Sequence, residues 1–126
     1  MDFLIVEDSR IDRRMISGLM KRVNRDALLT HVDSLATARA ALGERGYAMI
    51  LLDNTLPDGW GADFAMEIAG HSQWSTIPVV MVTGWPSPHM FAKAQAGNVR
   101  EIVDKNELAT WAISGELAKR IARWMH

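Results

Sequence analysis

Residues 49–61 read M-I-L-L-D-N-T-L-P-D-G-W-G, a short apolar run that stops at a single carboxylate, Asp53. Turn-forming residues follow at Pro57, Asp58, Gly59 and Gly61. An apolar run of this length between turn signals is typical of a strand that is buried on both faces. An acid at the carboxyl end of such a strand lies where open α/β sheets bind their ligands. Asp53 is therefore a candidate site residue, although an aspartate at such a place is about as often a simple turn cap.

Four other apolar runs have the length of buried strands, and amphipathic segments separate them. Strands are predicted at residues 3–6, 28–32, 49–52, 78–82 and 100–103. Helices are predicted from Ser9 with Ile11, Met15, Leu19 and Val23 on the apolar face, from Ser34 to Glu44, from Asp63 to Ala69, from Ser87 to Gly97, and after Ser114. Five strand-then-helix units predict an α/β fold, a doubly wound five-stranded parallel sheet with helices on both faces. Right-handed crossovers then place every strand's carboxyl end on one edge of the sheet.

The composition predicts one globular domain that spans residues 1–126. The net charge of −1 favours neither a nucleic-acid partner nor a membrane surface. The chain has no cysteine, which excludes disulfides, thiolate zinc sites and cysteine nucleophiles and fits a reducing cytoplasm. The N-terminal residues M-D-F-L-I-V-E-D are neither a signal peptide nor a spanning helix. Motifs for a P-loop, a dinucleotide site and a G-x-S-x-G serine nucleophile are absent.

Polar side chains follow four of the predicted strands at the point where each strand ends. They are Glu7 and Asp8 after the first strand, Asp53 after the third, Thr83 after the fourth and Lys105 after the fifth. Each of them taken alone is more often a helix-start acid, a turn cap, a strand-end hydroxyl or a solvated lysine. Together, at one edge of a parallel sheet, they predict a shared site.

Three carboxylates this close repel one another, because two unit charges 4 Å apart cost about 1 kcal/mol in water and about 4 kcal/mol at an effective dielectric of 20. A hard divalent cation relieves the repulsion, and a small site with few protein carboxylates suits Mg²⁺. Lys105 adds a compact positive charge for an oxyanion, and Thr83 adds a hydroxyl donor. This chemistry predicts phosphoryl transfer with Asp53 as the nucleophile.

This motif set resembles the receiver domain of two-component response regulators, and the resemblance covers essentially the whole chain. It implies a flavodoxin-like fold with sheet order 2-1-3-4-5. It also implies the following roles: Glu7 and Asp8 as the acidic metal-binding pair, Asp53 as the phosphoacceptor, Thr83 as the switch hydroxyl, Lys105 as the characteristic lysine, and the backbone carbonyl of Asn54 as a further Mg²⁺ ligand. Pro57 and Gly61 fall at the positions where the family has a proline and a glycine.

The resemblance implies a bacterial, cytoplasmic phosphoacceptor that turns over no external substrate and is therefore not an enzyme in the ordinary sense. A sensor histidine kinase or a histidine phosphotransfer protein would supply the phosphoryl group. A downstream protein would bind the surface of the fourth helix, fifth strand and last helix. The alternative is a degenerate receiver-like binding module without productive switching. A flavodoxin-type cofactor binder is disfavoured, because an acidic pocket repels phosphate groups.

Three positions depart from the family pattern. Asn106 follows the lysine where proline is common, so a trans bond and a remodelled entry into the last helix are expected. Ile102 replaces the aromatic residue that couples to the switch threonine, so that coupling is in doubt. Gly84 and Trp85 follow Thr83, and Trp85 either shields the site or packs. The basic face of the first helix is either solvated or a docking surface for the kinase.

Overall fold

The computed structural model describes all 126 residues. Its main sheet contains β1 (Asp2–Val6), β2 (Leu28–Val32), β3 (Met49–Leu52), β6 (Val79–Thr83) and β7 (Glu101–Asp104). The strands are parallel and lie in the order β2-β1-β3-β6-β7. A separate antiparallel hairpin consists of β4 (Thr55–Leu56) and β5 (Gly59–Trp60). Because the hairpin is outside the sheet, the five sheet strands taken along the chain have the predicted order 2-1-3-4-5.

Six helices connect or follow these strands. They are α1 (Arg10–Val23), α2 (Leu35–Glu44), α3 (Gly61–Ala69), α4 (Pro88–Ala96), α5 (Lys105–Ser114) and α6 (Glu116–Trp124). Side-chain hydroxyls cap three of them, at Ser9, Ser34 and Ser87. None of the six is both long enough and apolar enough to cross a bilayer.

Apolar layers cover both faces of the sheet. One layer joins the sheet to α1, α5 and α6, and the other joins it to α2 and α3. Every residue of β3 and β6 is buried, which explains why both strands are uninterrupted apolar runs in the sequence. The core therefore holds β3 rigidly up to Leu52, and Asp53 follows directly at its carboxyl end.

The segment after β7 differs from the prediction. The sequence indicated one last helix after Ser114, but two helices follow, and Gly115 joins them with φ of 86°. The first of these, α5, starts at Lys105 itself, and the Asp104 carboxylate caps it by accepting a hydrogen bond of 2.8 Å from Asn106 N. No peptide bond is cis, so the expectation for Lys105-Asn106 is confirmed.

The apolar face of α1 is confirmed except at its first residue. Ile11 is exposed, whereas the other predicted residues of this face, Met15, Leu19 and Val23, are partly buried against the core beside Ile16 and Met20. Gly97 ends α4 at the predicted position, and its φ of −86° is one that any residue can adopt. A Cβ at Gly97 would lie 2.9 Å from the backbone carbon of Ala65. Glycine is therefore needed there because α4 approaches α3 closely.

The β4–β5 hairpin caps a neighbouring helix through Asp58. The Asp58 carboxylate accepts hydrogen bonds from Leu35 N at 2.8 Å and from Ala36 N at 3.0 Å, at the start of α2. These backbone hydrogen bonds lower the pKa of Asp58. An acid with a lowered pKa stabilises the fold above its unfolded-state pKa, and the contribution disappears as the pH falls through the folded-state value.

We therefore expect Asp58→Ala to lower the melting temperature by a few degrees at neutral pH. The difference from wild type should shrink in acid, as the pH falls toward the folded-state pKa and the carboxylate begins to take up a proton. Thermal unfolding followed by circular dichroism at pH 7 and pH 3 measures both effects. Asp26→Ala is the matched control, because Asp26 is exposed in a turn. A melting temperature for Asp58→Ala equal to that of Asp26→Ala at pH 7 would refute the capping role.

Candidate functional site

The carboxyl ends of β1 and β3 bring three acids together. Glu7, Asp8 and Asp53 each offer one carboxylate oxygen, and these oxygens all lie within 4.8 Å of one another. Backbone hydrogen bonding between neighbouring strands continues for one residue beyond the ends of β1 and β3. Glu7 N donates to Val32 O and Asp53 N donates to Val6 O, each at 3.0 Å. Glu7 is 1% exposed and Asp53 is 7% exposed, whereas Asp8 is exposed. The cluster is thus a shallow pocket with two buried acids and one at its rim.

Lys105 extends into this cluster from the first turn of α5. Its Nζ lies 2.8 Å from Glu7 Oε2, 2.8 Å from Asp12 Oδ2 and 3.5 Å from Asp53 Oδ2. Only 14% of the lysine side chain is exposed. Burial opposes the charge of Lys105, but the hydrogen bond to Asp12 and the contacts with the carboxylates of Glu7 and Asp53 outweigh it, so the pKa of the ammonium is raised above its ordinary value. Lys105 is therefore a permanent cation among four acids.

Glu7 is the most strongly perturbed acid of the site. Burial raises its pKa from 4.5 to about 7, and the nearby charge of Asp53 acts in the same direction, against the ion-pair contact with Lys105 and the hydrogen bond from Ser9 N. Ser9 N donates to Glu7 Oε1 at 3.0 Å. The other oxygen, Oε2, is buried and has no hydrogen bond of good angle, although the ammonium of Lys105 is in ion-pair contact.

Three carboxylates this close need compensating positive charge, and Lys105 supplies a single positive charge. Hard divalent cations such as Mg²⁺ and Ca²⁺ bind through carboxylate oxygens, and Mg²⁺ keeps several waters around one or two protein ligands. The oxygens of Glu7, Asp8 and Asp53 match that chemistry in type and mutual distance. The residues present therefore fit a divalent cation at the edge of the sheet.

Asn54 has a structural role that the sequence did not indicate. Its backbone N donates to Asp53 Oδ1 at 2.8 Å and so orients the carboxylate. Its carbonyl oxygen accepts from Gly61 N at 2.7 Å, and its side-chain Oδ1 accepts from Ala62 N at 3.0 Å. These bonds close the hairpin onto the start of α3. Since the carbonyl already has one donor, the role of Asn54 as a metal ligand stays a prediction.

Thr83 ends β6, the strand next to β3, and is 3% exposed. Its Oγ1 accepts a hydrogen bond of 3.3 Å from Trp85 N. The Trp85 side chain does not belong to the core, because the residue is 89% exposed, and the packing explanation for it is therefore wrong. Ile102 is partly buried and packs against the small cluster around Met81 and Met90.

Asp12 is the site residue that sequence reasoning missed. It lies in the first turn of α1, and Lys105 Nζ donates to its Oδ2 at 2.8 Å. No local pattern pointed to it, because Asp8 precedes α1 and the lysine that Asp12 binds is 93 positions away in the sequence. The structure thus assembles a site of four acids and one lysine rather than three acids and one lysine.

Comparison with known proteins agrees with this architecture. The family model for the response regulator receiver domain matches residues 3–110. A two-component response regulator of rice, ORR12, is 29% identical over 103 residues, which cover 81% of this chain and 84% of the rice protein. The named plant relative gives no support to the expected bacterial origin.

Solved structures show the same fold. The Mn²⁺-bound form of response regulator Rcp1 superposes with a TM-score of 0.79 at 25% identity, and covers 90% of this chain and 89% of that one. A LuxR-family DNA-binding response regulator from Staphylococcus aureus gives a TM-score of 0.82 at 24% identity, with coverage of 99% and 98%. This chain therefore belongs to the response regulator receiver domain family and is a phosphoacceptor signalling domain.

Proposed function

We propose that the protein accepts a phosphoryl group on Asp53 in a Mg²⁺-dependent step of a His-Asp phosphorelay, and that the modification changes a protein-binding surface. The observation that carries the proposal is the cluster of Glu7, Asp8 and Asp53 with the Lys105 ammonium 3.5 Å from Asp53 Oδ2. Asp53 is a nucleophile at a fixed strand end, beside groups that compensate negative charge.

In the proposed step an oxygen of the Asp53 carboxylate forms a bond to phosphorus. The bond from phosphorus to the donor histidine nitrogen breaks, and its electron pair stays on the imidazole. Glu7, Asp8 and Asp53 would hold Mg²⁺, which when bound neutralises charge on the phosphoryl oxygens. Lys105 donates a hydrogen bond to one of these oxygens, and the Thr83 hydroxyl donates to another.

A basic groove on α1 and β2 indicates where the phosphodonor protein would bind. Arg10, Arg13, Arg14, Ser17 and His31 line a groove of about 380 Å³ on α1 and β2. None of the three arginines forms an ion pair. An unpaired basic groove on α1, the helix that begins two residues after Asp8, supports docking of an acidic donor, a sensor histidine kinase or a histidine phosphotransfer protein.

The output surface is proposed around α4 and β7. Half-exposed Phe91 of α4 and partly buried Ile102 of β7 line a shallow cavity of about 320 Å³, together with Val99. An exposed aromatic residue beside an apolar depression supports a protein partner. The net charge of −1 gives no support to a nucleic-acid or membrane partner, and the absence of cysteine supports the cytoplasm as the location.

A receiver-like binding module without productive switching is the second candidate. Ile102 favours this second candidate. Its aliphatic side chain is already packed against the cluster of Met81 and Met90, and it has no polar group that could move toward the site on phosphorylation. The buried acids favour the first candidate, because an acidic cluster that binds no ion only destabilises the fold.

Intact mass spectrometry tests the phosphoacceptor function. Wild type, incubated with Mg²⁺ and a small acyl phosphate, is expected to gain the mass of one phosphoryl group. Asp53→Asn should gain none, because the amide is not a nucleophile for phosphorus, and wild type with a chelator in place of Mg²⁺ should gain almost none. A wild type that gains no phosphate in Mg²⁺ would sink the proposal and leave the binding-module alternative.

A further inference from the structure

We propose that Asp12 restrains Lys105 in the resting protein, and that transfer to Asp53 requires this ammonium to exchange Asp12 for a phosphoryl oxygen. The inference rests on the proposed phosphorylation of Asp53 and adds a residue that controls it. Asp12 acts through Lys105 and does not itself touch the phosphoryl group, so it is a positioning residue.

The distances around Lys105 show which carboxylates hold it. Nζ is 2.8 Å from Asp12 Oδ2 and 2.8 Å from Glu7 Oε2, but 3.5 Å from Asp53 Oδ2. The bond to Asp12 has the angle of a true hydrogen bond, whereas the contact with Glu7 Oε2 does not. An ammonium has three N–H donors. The shorter of its two hydrogen bonds therefore goes to Asp12, and the bond to the nucleophile Asp53 is the longer one at 3.5 Å.

Asp12 also differs from the other acids in its surroundings. It belongs to α1 and not to a strand end, and it lies outside the group of three acids whose oxygens could share one cation. Its side chain is 33% exposed, compared with 1% for Glu7. Water can therefore replace Lys105 at Asp12 at low cost, which makes this contact the one that the lysine can give up.

The charge of Asp12 sets the direction of the effect. A phosphodonor is anionic, and Lys105 is the cation of this chain at the site. Asp12 compensates that cation in the resting state and so weakens the attraction for incoming phosphoryl oxygens. The lysine reaches the phosphoryl group by moving its flexible four-carbon side chain, while its backbone stays anchored as the first residue of α5.

The test compares wild type, Asp12→Asn, Lys105→Gln and the double variant, together with Asp26→Asn as a control that removes an exposed carboxylate elsewhere. Each protein is mixed with Mg²⁺ and a small acyl phosphate, whose phosphorus–oxygen bond breaks with the electron pair leaving on the carboxylate. Intact mass gives the rate of phosphoryl gain over a series of donor concentrations, and thermal unfolding gives the stability.

We expect Asp12→Asn to be phosphorylated about tenfold faster than wild type, the effect of one nearby charge at an intermediate dielectric. Its half-saturating donor concentration should fall, and its melting temperature should change little. The acceleration should vanish in the Lys105→Gln background, because Asp12 acts through the lysine.

Three results would overturn the inference: equal rates for Asp12→Asn and wild type, a slower Asp12→Asn, or the same acceleration without Lys105. The last of these would mean that Asp12 acts by its charge alone. A wild type and an Asp12→Asn variant that both gain no phosphate would instead overturn the proposed function. The experiment therefore distinguishes failure of the Asp12 inference from failure of the proposed phosphorylation of Asp53.

Discussion

Replacement of Gly61 by alanine is expected to slow phosphorylation of Asp53 by about 100-fold, since misplacement of a reacting group by about 1 Å has an effect of this size. A Cβ on Gly61 would lie 2.0 Å from the carbonyl oxygen of Asp53 and 3.0 Å from Asn54 Cα. These are backbone atoms, so no side-chain rotation relieves the overlap. Asp53 itself must shift, and the 2.7 Å hydrogen bond from Gly61 N to Asn54 O is lost with it.

The same change should lower the free energy of unfolding by about 3 kcal/mol, the upper part of the range for overpacked sites. Urea unfolding gives this quantity, and intact mass gives the phosphorylation rate. Gly43→Ala is the matched control, because Gly43 is exposed in α2 and an added Cβ would meet nothing within 4 Å. The control should gain about 0.5–1 kcal/mol from helix propensity. Wild-type behaviour of Gly61→Ala would show that the hairpin adjusts without moving Asp53.

Metal-free protein is expected to lose stability as the pH rises from 5 to 8.5, because of Glu7. Its pKa is about 7 in the folded state, compared with 4.5 for an unperturbed glutamate side chain. An acid whose pKa is raised by folding binds its proton more tightly in the folded state. Its stabilising contribution is complete below the unfolded-state pKa and is lost as the pH rises through about 7. The loss should be about 2 kcal/mol.

The variant Glu7→Gln separates this effect from other titrations. The amide keeps the size of the side chain and an acceptor for Ser9 N, but carries no charge. With a chelator present at pH 8.5, Glu7→Gln should be more stable than wild type by about 2 kcal/mol. At pH 5 the two proteins should have similar free energies of unfolding. Addition of Mg²⁺ at pH 8.5 should stabilise wild type and have little effect on Glu7→Gln. Glu44→Gln, at an exposed helix end, serves as control. Parallel pH profiles for wild type and Glu7→Gln would contradict the assignment.

The sheet and the cluster at its edge were predictable from sequence for a clear physical reason. β3 and β6 are buried on both faces, so they are continuous apolar runs with sharp ends at Asp53 and Thr83. In a parallel sheet the carboxyl ends share an edge, and strand ends alone then bring Glu7 and Asp53 together. The order of the five strands followed from the family resemblance and is confirmed by the structure.

The parts that escaped prediction lack a local signal. The helix α5 buries only Leu108 and Ala112, too few residues for a clear amphipathic pattern. The contact of Asp12 with Lys105 joins residues 93 positions apart, and no local pattern indicates such a pair. The orientation of the Asn54 carbonyl depends on the close approach of Gly61, which is a property of the folded hairpin. Tertiary contacts decided all three.

Lys105 is the first residue of α5, and this position makes the lysine part of a larger rigid unit. The guanidinium of Arg120 in α6 stacks 3.8 Å from the ring centroid of Trp111 in α5, and Trp124 Nε1 donates to Glu101 of β7 at 2.8 Å. A protein that displaced α5 or α6 would therefore move the backbone to which the Lys105 side chain is anchored. By thermodynamic reciprocity, a partner bound there changes the affinity of the pocket for phosphate as much as phosphate changes the affinity for the partner. Movement of α5 would thus couple the partner-binding surface to the phosphorylation pocket without an aromatic residue at position 102.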